Sequence, residues 1–412
     1  MTNPTGVKAR AGALRMLDAV LRRGETLDQA EGAALHAVKQ SHDRGLAHAI
    51  AGEVLRWLVD LDALIDSATK LRLADDAKVR TVLRMMLAQW LRLDTPPHAV
   101  IATGLDLLAG GPRRLAHGVF STLVRQQVTL PAVPTLPPAV AARWGDRAQA
   151  IAAGLAVPPP LDLTLRDPAT TVEWAERLGG TSLAPGHVRL ARGGAVEELP
   201  GFAEGAWWVQ DLAASIPVRL LGAGEGRRAL DLCAAPGGKT LQLVAAGWEV
   251  TALDASRRRL GLLGDNSART GLWAKIVVAD ALEWEPEAPF DAILLDAPCT
   301  ATGTARRHPD VLHRIAAPQI EHMLDLQSRL LGRAAGWLKP GGVLVYAVCS
   351  LEQEEGEQQA ARIALPPVPV TADELPAGVQ PTAEGQVRTD PALLAEQGGM
   401  DGFFIARWQS PG

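Results

Sequence analysis

Between Arg228 and Cys349 the chain repeats one pattern five times: a short aliphatic run, a break at small or acidic residues, then a spacer long enough for a helix. The runs are ALDLCA, EVTALDA, KIVVADA, FDAILLDAP and GGVLVYAVC. They do not alternate polar with apolar, as strands with one wet face do; near-continuous apolar strands belong to a parallel sheet covered on both faces. Strands of this kind alternating with helices specify a doubly wound, Rossmann-like α/β sheet, whose ligands bind in the crevice at the carboxyl ends of the strands. The terminal GFFIARW alternates and predicts a closing edge strand, and the PPVPV stretch before it predicts loop.

At 412 residues the chain is long enough for several full-sized cores. Residues 7–126 read as helices, with Leu14, Leu17, Val20 and Leu21, then Ala47, Ile50, Val54 and Leu58, then Val82, Leu83, Met86, Leu87 and Trp90 at helical spacing. Prolines 131, 134, 137, 138, 158, 159 and 160 break that pattern and predict a linker. In the next stretch LDLTLRDP predicts a strand closed by a turn, and WAERLGG a helix ending at Gly. The predicted plan is an all-α domain at 1–130, a Pro-rich linker at 131–160, a small α+β region at 161–221 and the α/β sheet domain at 222–412.

No run approaches the roughly 20 apolar residues of a membrane helix, and the amino terminus lacks a basic stretch followed by an apolar core, so a cytoplasmic protein without membrane contact is expected; a monomer is the expected state. Cys233, Cys299 and Cys349 are too far apart for a C-x-x-C metal pattern, and His308 and His313 lack matching partners, so no metal site is expected. The net charge of −5 does not announce a nucleic-acid binder, although residues 1–130 hold 17 Lys+Arg against 13 Asp+Glu.

The first strand-to-helix turn is Cys233-Ala234-Ala235-Pro236-Gly237-Gly238-Lys239. Its two glycines let backbone N–H groups approach a ligand, and the helix start behind them favours a carboxylate. It matches neither G-x-G-x-x-G nor the P-loop spacing. Asp254, Asp280 and Asp296 end the following strands, where a carboxylate can accept from ribose hydroxyls or an adenine amino group. Taken singly, each could be a loop acid or a cap, and Asp280 reads first as a cap.

Cys299, in Asp-Ala-Pro-Cys, and Cys349, in Tyr-Ala-Val-Cys-Ser, project over the same sheet edge as that turn and should share one pocket. Either alone reads as a small buried hydrophobe, the role expected of Cys233. As a pair beside a methyl-donor-like site they suit methylation at cytosine C5: a thiolate adds to C6, C5 becomes nucleophilic, and a second thiol assists departure of the C5 proton and the enzyme.

The motifs DLCAAPGGKT, DAPCTATGTARRHPD, YAVCSLEQEE and DGFFIARW together resemble the RsmB (Fmu/Sun) family of ribosomal RNA cytosine-5 methyltransferases, within the NOL/NOP/Sun group. That resemblance implies an S-adenosylmethionine-dependent enzyme in which Cys349 is the nucleophile and Cys299 aids release. It also implies that the turn from Cys233 to Lys239, with Asp254, Asp280 and Asp296, contacts the cofactor, that Asp296 faces the target base, and that Lys239 orders the site. Residues 7–126 resemble the NusB-type RNA-binding domain of that subgroup, and VEELPGFAEGAWWVQDLAAS its pre-catalytic motif, with Gln210 and Asp211. Thr300-Ala301 stands where Ser-Gly is usual, and Ser121 where Asn often precedes the last arginine, Arg125.

Arg306 and Arg307 suit phosphate oxygens, as does Arg125 in the helical domain; the alternative is a solvated basic turn. Trp207 and Trp208 could stack on a base or belong to the core. A thiol at the sheet edge cannot reach a stacked cytosine, so the target must be single-stranded or flipped out. Methylation of cytosine C5 in 16S ribosomal RNA is the reading adopted, against a transfer RNA or DNA cytosine methyltransferase and a noncatalytic RNA-binding or assembly protein.

Overall fold

The computed structural model describes residues 6–191 and 194–412, so the first five residues of the predicted helical domain lie outside the described residues. The chain divides into two compact units, residues 1–157 with 305–315, and residues 158–304 with 316–412.

The first unit is helical throughout. Its core gathers Leu17, Val20, Ile50, Val54, Trp57, Leu83, Met86, Leu87 and Phe120, while Leu14, Leu21, Leu58 and Trp90 pack partly buried at the margin. The apolar periodicity therefore marked the inward faces correctly. Two arginines on the inner side of helix Lys78–Arg92 are also buried. Arg80 donates to Asp62 at 2.9 Å and to both Asp66 oxygens at 2.6 and 3.0 Å, and Arg84 forks onto Asp62 at 2.7 and 2.8 Å. These pairs tie that helix to helix Leu58–Ser67, whose aspartates they neutralise.

The segment expected to be a structureless linker contains helices Pro138–Trp144 and Ala148–Leu155. Pro138 occupies a first-turn position, where the missing N–H is no loss, so that proline opens a helix rather than forbidding one. The 305–315 segment packs within this same unit. Arg56 donates to the carbonyls of Leu155 at 2.6 Å and Arg306 at 2.8 Å, and His313 Nε2 lies 2.7 Å from the Leu55 carbonyl.

The second unit holds two sheets. Strands β1 (Leu161–Leu165), β2 (His187–Leu190) and β3 (Trp207–Val209) form an antiparallel sheet in the order β2-β1-β3. The predicted WAERLGG helix is present as Thr171–Leu178, stopped by Gly179 in the left-handed region. The seven-stranded sheet comprises β4 (Arg228–Leu232), β5 (Glu249–Asp254), β6 (Lys275–Val278), β7 (Phe290–Asp296), β8 (Leu338–Val348), β9 (Val387–Arg388) and β10 (Phe404–Gln409), in the order β6-β5-β4-β7-β8-β10-β9. The first five are parallel, whereas β10 runs antiparallel to both β8 and β9.

Two expectations change. The terminal strand β10 is not the edge, because the two-residue β9 pairs with its outer side. KIVVADA is not a covered strand: β6 pairs with β5 alone and exposes Ile276 and Val278. Strand order reverses between β4 and β7, so the ligand crevice of this fold opens at their carboxyl ends. Among the described residues no helix is long and apolar enough to cross a membrane.

Candidate active site

The Cys233–Lys239 turn leaves the buried end of β4 and enters helix Gly238–Ala245. Cys233 (φ +65°) and Gly237 (φ +108°) both take left-handed backbone, and a Cβ at Gly237 would overlap Leu263, so this corner needs glycine. The turn is pinned to β5 by Ala234 N–H, which donates to the Leu253 carbonyl at 3.0 Å, and by Ala235 N–H, which donates to Asp254 Oδ2 at 3.2 Å. Asp254 also accepts from Ser256 N–H at 2.7 Å and from Arg259 at 2.9 Å. Asp280, exposed beyond β6, accepts from Leu282 N–H at 2.9 Å within a turn, and no helix follows for it to cap.

Beneath the turn, Asp231 is buried on β4 and accepts the Thr240 hydroxyl at 2.5 Å. Burial, only partly offset by that hydrogen bond, pushes its pKa up to about 7. Asp296, ending β7, accepts from Lys239 Nζ at 2.7 Å. Burial works against the Lys239 charge, yet the adjoining Asp296 carboxylate holds its pKa above the ordinary lysine value. The same ammonium lies 5.2 Å from the Phe403 ring centre, a cation–π contact to the terminal DGFF motif.

Cys299, on the loop after β7, and Cys349, at the end of β8, bring their Sγ atoms to 3.5 Å. Both are half-buried free thiols. The hydrogen bond to Cys349, followed by burial, raises the Cys299 pKa well above that of an ordinary thiol. Cys233 stays apart from this pair, its thiol pushed up chiefly by burial and then by Asp254. Two backbone links fix the Cys299 loop: Gly303 N–H donates to the Cys349 carbonyl at 3.0 Å, and Gly402 N–H to the Gly303 carbonyl at 2.8 Å. A Cβ at Gly303 would overlap the Gly402 carbonyl, so the DGFF glycine and the Pro-Cys loop are fitted to one another.

The description "16S rRNA methyltransferase RsmB/F" matches residues 218–409, and "NusB family" matches residues 7–109. Ribosomal RNA small subunit methyltransferase B of Xylella fastidiosa is 36% identical over 428 residues, covering 98% of each chain. The chain belongs to the RsmB/F methyltransferase family. The protein of the same name from Klebsiella pneumoniae is 34% identical, covering 97% of this chain and 98% of its own. A solved methyltransferase homolog from Pyrococcus horikoshii superposes with a TM-score of 0.54 at 27% identity, over 70% of this chain and 98% of its own. The crystal structure of PH0851 shares the fold at TM-score 0.71 and 22% identity, over 96% of this chain and 98% of its own.

Within this methyltransferase the residues expected at the site fall into two groups. The turn from Cys233 to Lys239, Asp254, Asp296, Cys299 and Cys349 gather at the carboxyl ends of β4, β5, β7 and β8, with Asp280 beyond β6. Arg306 does not join them. It is 2% exposed and lies in the 305–315 segment of the helical unit, so its guanidinium is not displayed to a phosphate. Arg307 and Arg125 are exposed. Trp207 and Trp208 are core residues, donating to the Pro200 carbonyl and to Gln210 Oε1, each at 2.9 Å. Sequence reading also missed that Asp211 accepts from Asp401 N–H at 3.2 Å, joining the pre-catalytic motif to DGFF. The only signal was two short acidic motifs 190 residues apart, which no local pattern connects.

Proposed function

We propose that this methyltransferase modifies C5 of a cytosine in small-subunit ribosomal RNA through a covalent bond between Cys349 and C6 of the base. The observation that carries the reading is the pair of thiols, 3.5 Å apart on adjacent strand ends beside the Lys239–Asp296 pair. A single nucleophile would need one thiol; two in contact suit addition followed by expulsion. The ribosomal substrate rests on family membership.

The proposed cofactor is S-adenosylmethionine, and the residues present fit it. Asp254 places a carboxylate for a ribose diol, and Arg259, which now shares that carboxylate, has a side chain 56% exposed and free to give way. The turn from Cys233 to Lys239 with Asp280 and Asp296 would complete the cradle, and the bound cofactor would supply an electrophilic methyl group, its sulfonium sulfur leaving as a neutral thioether. Cys349 attacks C6 as the thiolate, breaking the C5–C6 double bond and placing its electron pair at C5, where the methyl is taken. Asp296, oriented by Lys239, faces the base. The C5 proton then passes to water, the C5–C6 double bond re-forms, and Cys349 leaves as a thiolate. Cys299, held protonated, offers its S–H to the departing sulfur, so the pair ends the cycle as it began. Arg307 and Arg125 are proposed phosphate contacts on the helical unit.

Incubated with S-adenosylmethionine and a 16S ribosomal RNA transcript, Cys299→Ala should accumulate a covalent protein–RNA adduct that resists denaturing electrophoresis, and Cys349→Ala none. Adducts from the Cys349 variant would refute the assignment of roles. Mapping 5-methylcytosine in ribosomal and transfer RNA from cells with and without the protein tests the substrate.

A further inference from the structure

One wholly buried carboxylate lies beside the thiols without a part in the chemistry above. Glu355 stands in the loop that follows Cys349, 0% exposed. Its Oε1 accepts Thr300 N–H at 2.9 Å and Gln327 Nε2 at 3.0 Å; its Oε2 accepts the Thr300 hydroxyl and the Ser350 hydroxyl. Gln327 Nε2 also reaches the Pro298 carbonyl at 2.9 Å, and Tyr346 donates its hydroxyl to the Glu355 carbonyl at 2.6 Å. Thr300 directly follows Cys299, and Ser350 directly follows Cys349. One side chain therefore grips both thiol-bearing loops at the residue next to each sulfur.

The contact between the sulfurs depends on two loops from different strands, so its length is set by whatever ties those loops together. Thr300 and Ser350 also meet directly, their hydroxyls 3.2 Å apart, with Glu355 bridging them. Donors fill both oxygens, the pattern of an ionised carboxylate, and such a charge opposes a second negative charge on the adjoining Cys299. On the other side, the Lys239 ammonium bears electrostatically on Cys349. We propose that Glu355 is the positioning residue of the two-thiol centre: it locks the Cys299 and Cys349 loops in register and keeps Cys299 the protonated member of the pair. This rests on the thiol roles proposed above. The upward displacement of the Cys299 pKa, caused first by Cys349 and burial and then in part by Glu355, agrees with it.

The test uses the full chain. Glu355→Gln keeps the shape and one acceptor oxygen but removes the charge; Thr300→Val keeps the shape and removes one hydroxyl of the tie. Thiolate absorbance against pH, read without RNA, reports ionisation around Cys299, which is faced by Cys349, Glu355 and Tyr346, with Lys239 bearing on Cys349 and Arg388 on Tyr346. With the third buried thiol silenced by Cys233→Ser, Glu355→Gln should move the upper step of the thiol pair to lower pH; in the otherwise wild-type chain it should lower methyl transfer to the 16S transcript roughly 10²-fold with the KM for S-adenosylmethionine unchanged. Thr300→Val should lose turnover less severely, again at unchanged KM, and it keeps the proposal falsifiable if the glutamine variant does not fold. An unmoved upper thiol step in Glu355→Gln overturns the proposal, as does wild-type turnover in Thr300→Val. If the wild-type protein leaves the transcript unmethylated while the thiol step still shifts, the substrate reading fails and the role of Glu355 stands.

Discussion

Ala301, two residues beyond Cys299, holds φ +58°, a left-handed conformation that costs a non-glycine residue about 1–2 kcal/mol. The position is fixed by its neighbours: Thr304 donates both its N–H and its hydroxyl to the Ala301 carbonyl, at 2.9 and 2.8 Å. Ala301→Gly should relieve the strain, and part of the gain is offset by the larger unfolded-state entropy of glycine, about 0.5–1 kcal/mol. A net stabilisation of about 0.5–1 kcal/mol is expected, visible as a rise of roughly 1–4 °C in the melting temperature of the sheet unit. A lower melting temperature would show that the alanine methyl makes contacts worth more than the strain. At this scale the site was partly legible. Thiols and acids at strand ends announce themselves because position in a parallel sheet dictates where they project. Glu355 did not, because only Ser350 among its donors is near it in sequence, while Thr300 and Gln327 come from 55 and 28 residues away. Arg306 misled because a guanidinium just past a reactive loop resembles a phosphate ligand, and its burial depends on a packing partner the sequence does not name.

Among elements, the small three-stranded sheet is held by a buried ion pair. Asp162 on β1 receives a fork from Arg189 on β2, 2.7 Å to each oxygen, and Leu212 N–H at 3.0 Å, which links the sheet to the helix Leu212–Arg219. Burial works against its ionisation, but Arg189 and His187 outweigh it and hold the carboxyl far below the usual carboxylate range. A depressed folded-state pKa stabilises the fold fully above the unfolded value of about 4, and that contribution is lost as pH falls below it. Asp162→Asn leaves Arg189 buried without its counter-charge and should cost about 3–5 kcal/mol at pH 7. Urea unfolding followed by tryptophan fluorescence should show that gap narrowing between pH 5 and pH 3; a gap independent of pH would remove the ion pair as its cause. The strands themselves were readable from their apolar runs, and helix Thr171–Leu178 from its terminal glycine. What composition did not convey was order. A two-residue β9 carries too little pattern to be read, yet it decides that β10 lies inside the sheet, and Pro138 reads as a breaker until its place at a helix start is known.

At the scale of the whole chain, the division at residue 130 and the structure diverge most where the chain leaves one unit for the other and returns. The helical unit extends to residue 157 and takes in residues 305–315 from the middle of the sheet region. Apolar periodicity could not reveal this, since ARRHPDVLHRI is short, charged and without a helical face long enough to read. Its contribution is substantial nonetheless. Val311 and Leu312 are 3% and 5% exposed, and burying two such side chains stabilises by about 3–6 kcal/mol. Arg56, itself buried, directs one guanidinium N–H to the Arg306 carbonyl, so without the segment that donor must find water. A fragment of residues 1–157 should therefore be less stable than the same fragment carrying residues 305–315 through a flexible linker, by several kcal/mol in urea unfolding followed by circular dichroism. In the fused fragment, Val311→Ala with Leu312→Ala should return the stability most of the way to that of residues 1–157 alone. Equal unfolding midpoints for the two unmutated fragments would mean that the segment is carried by the helical unit without contributing to its stability.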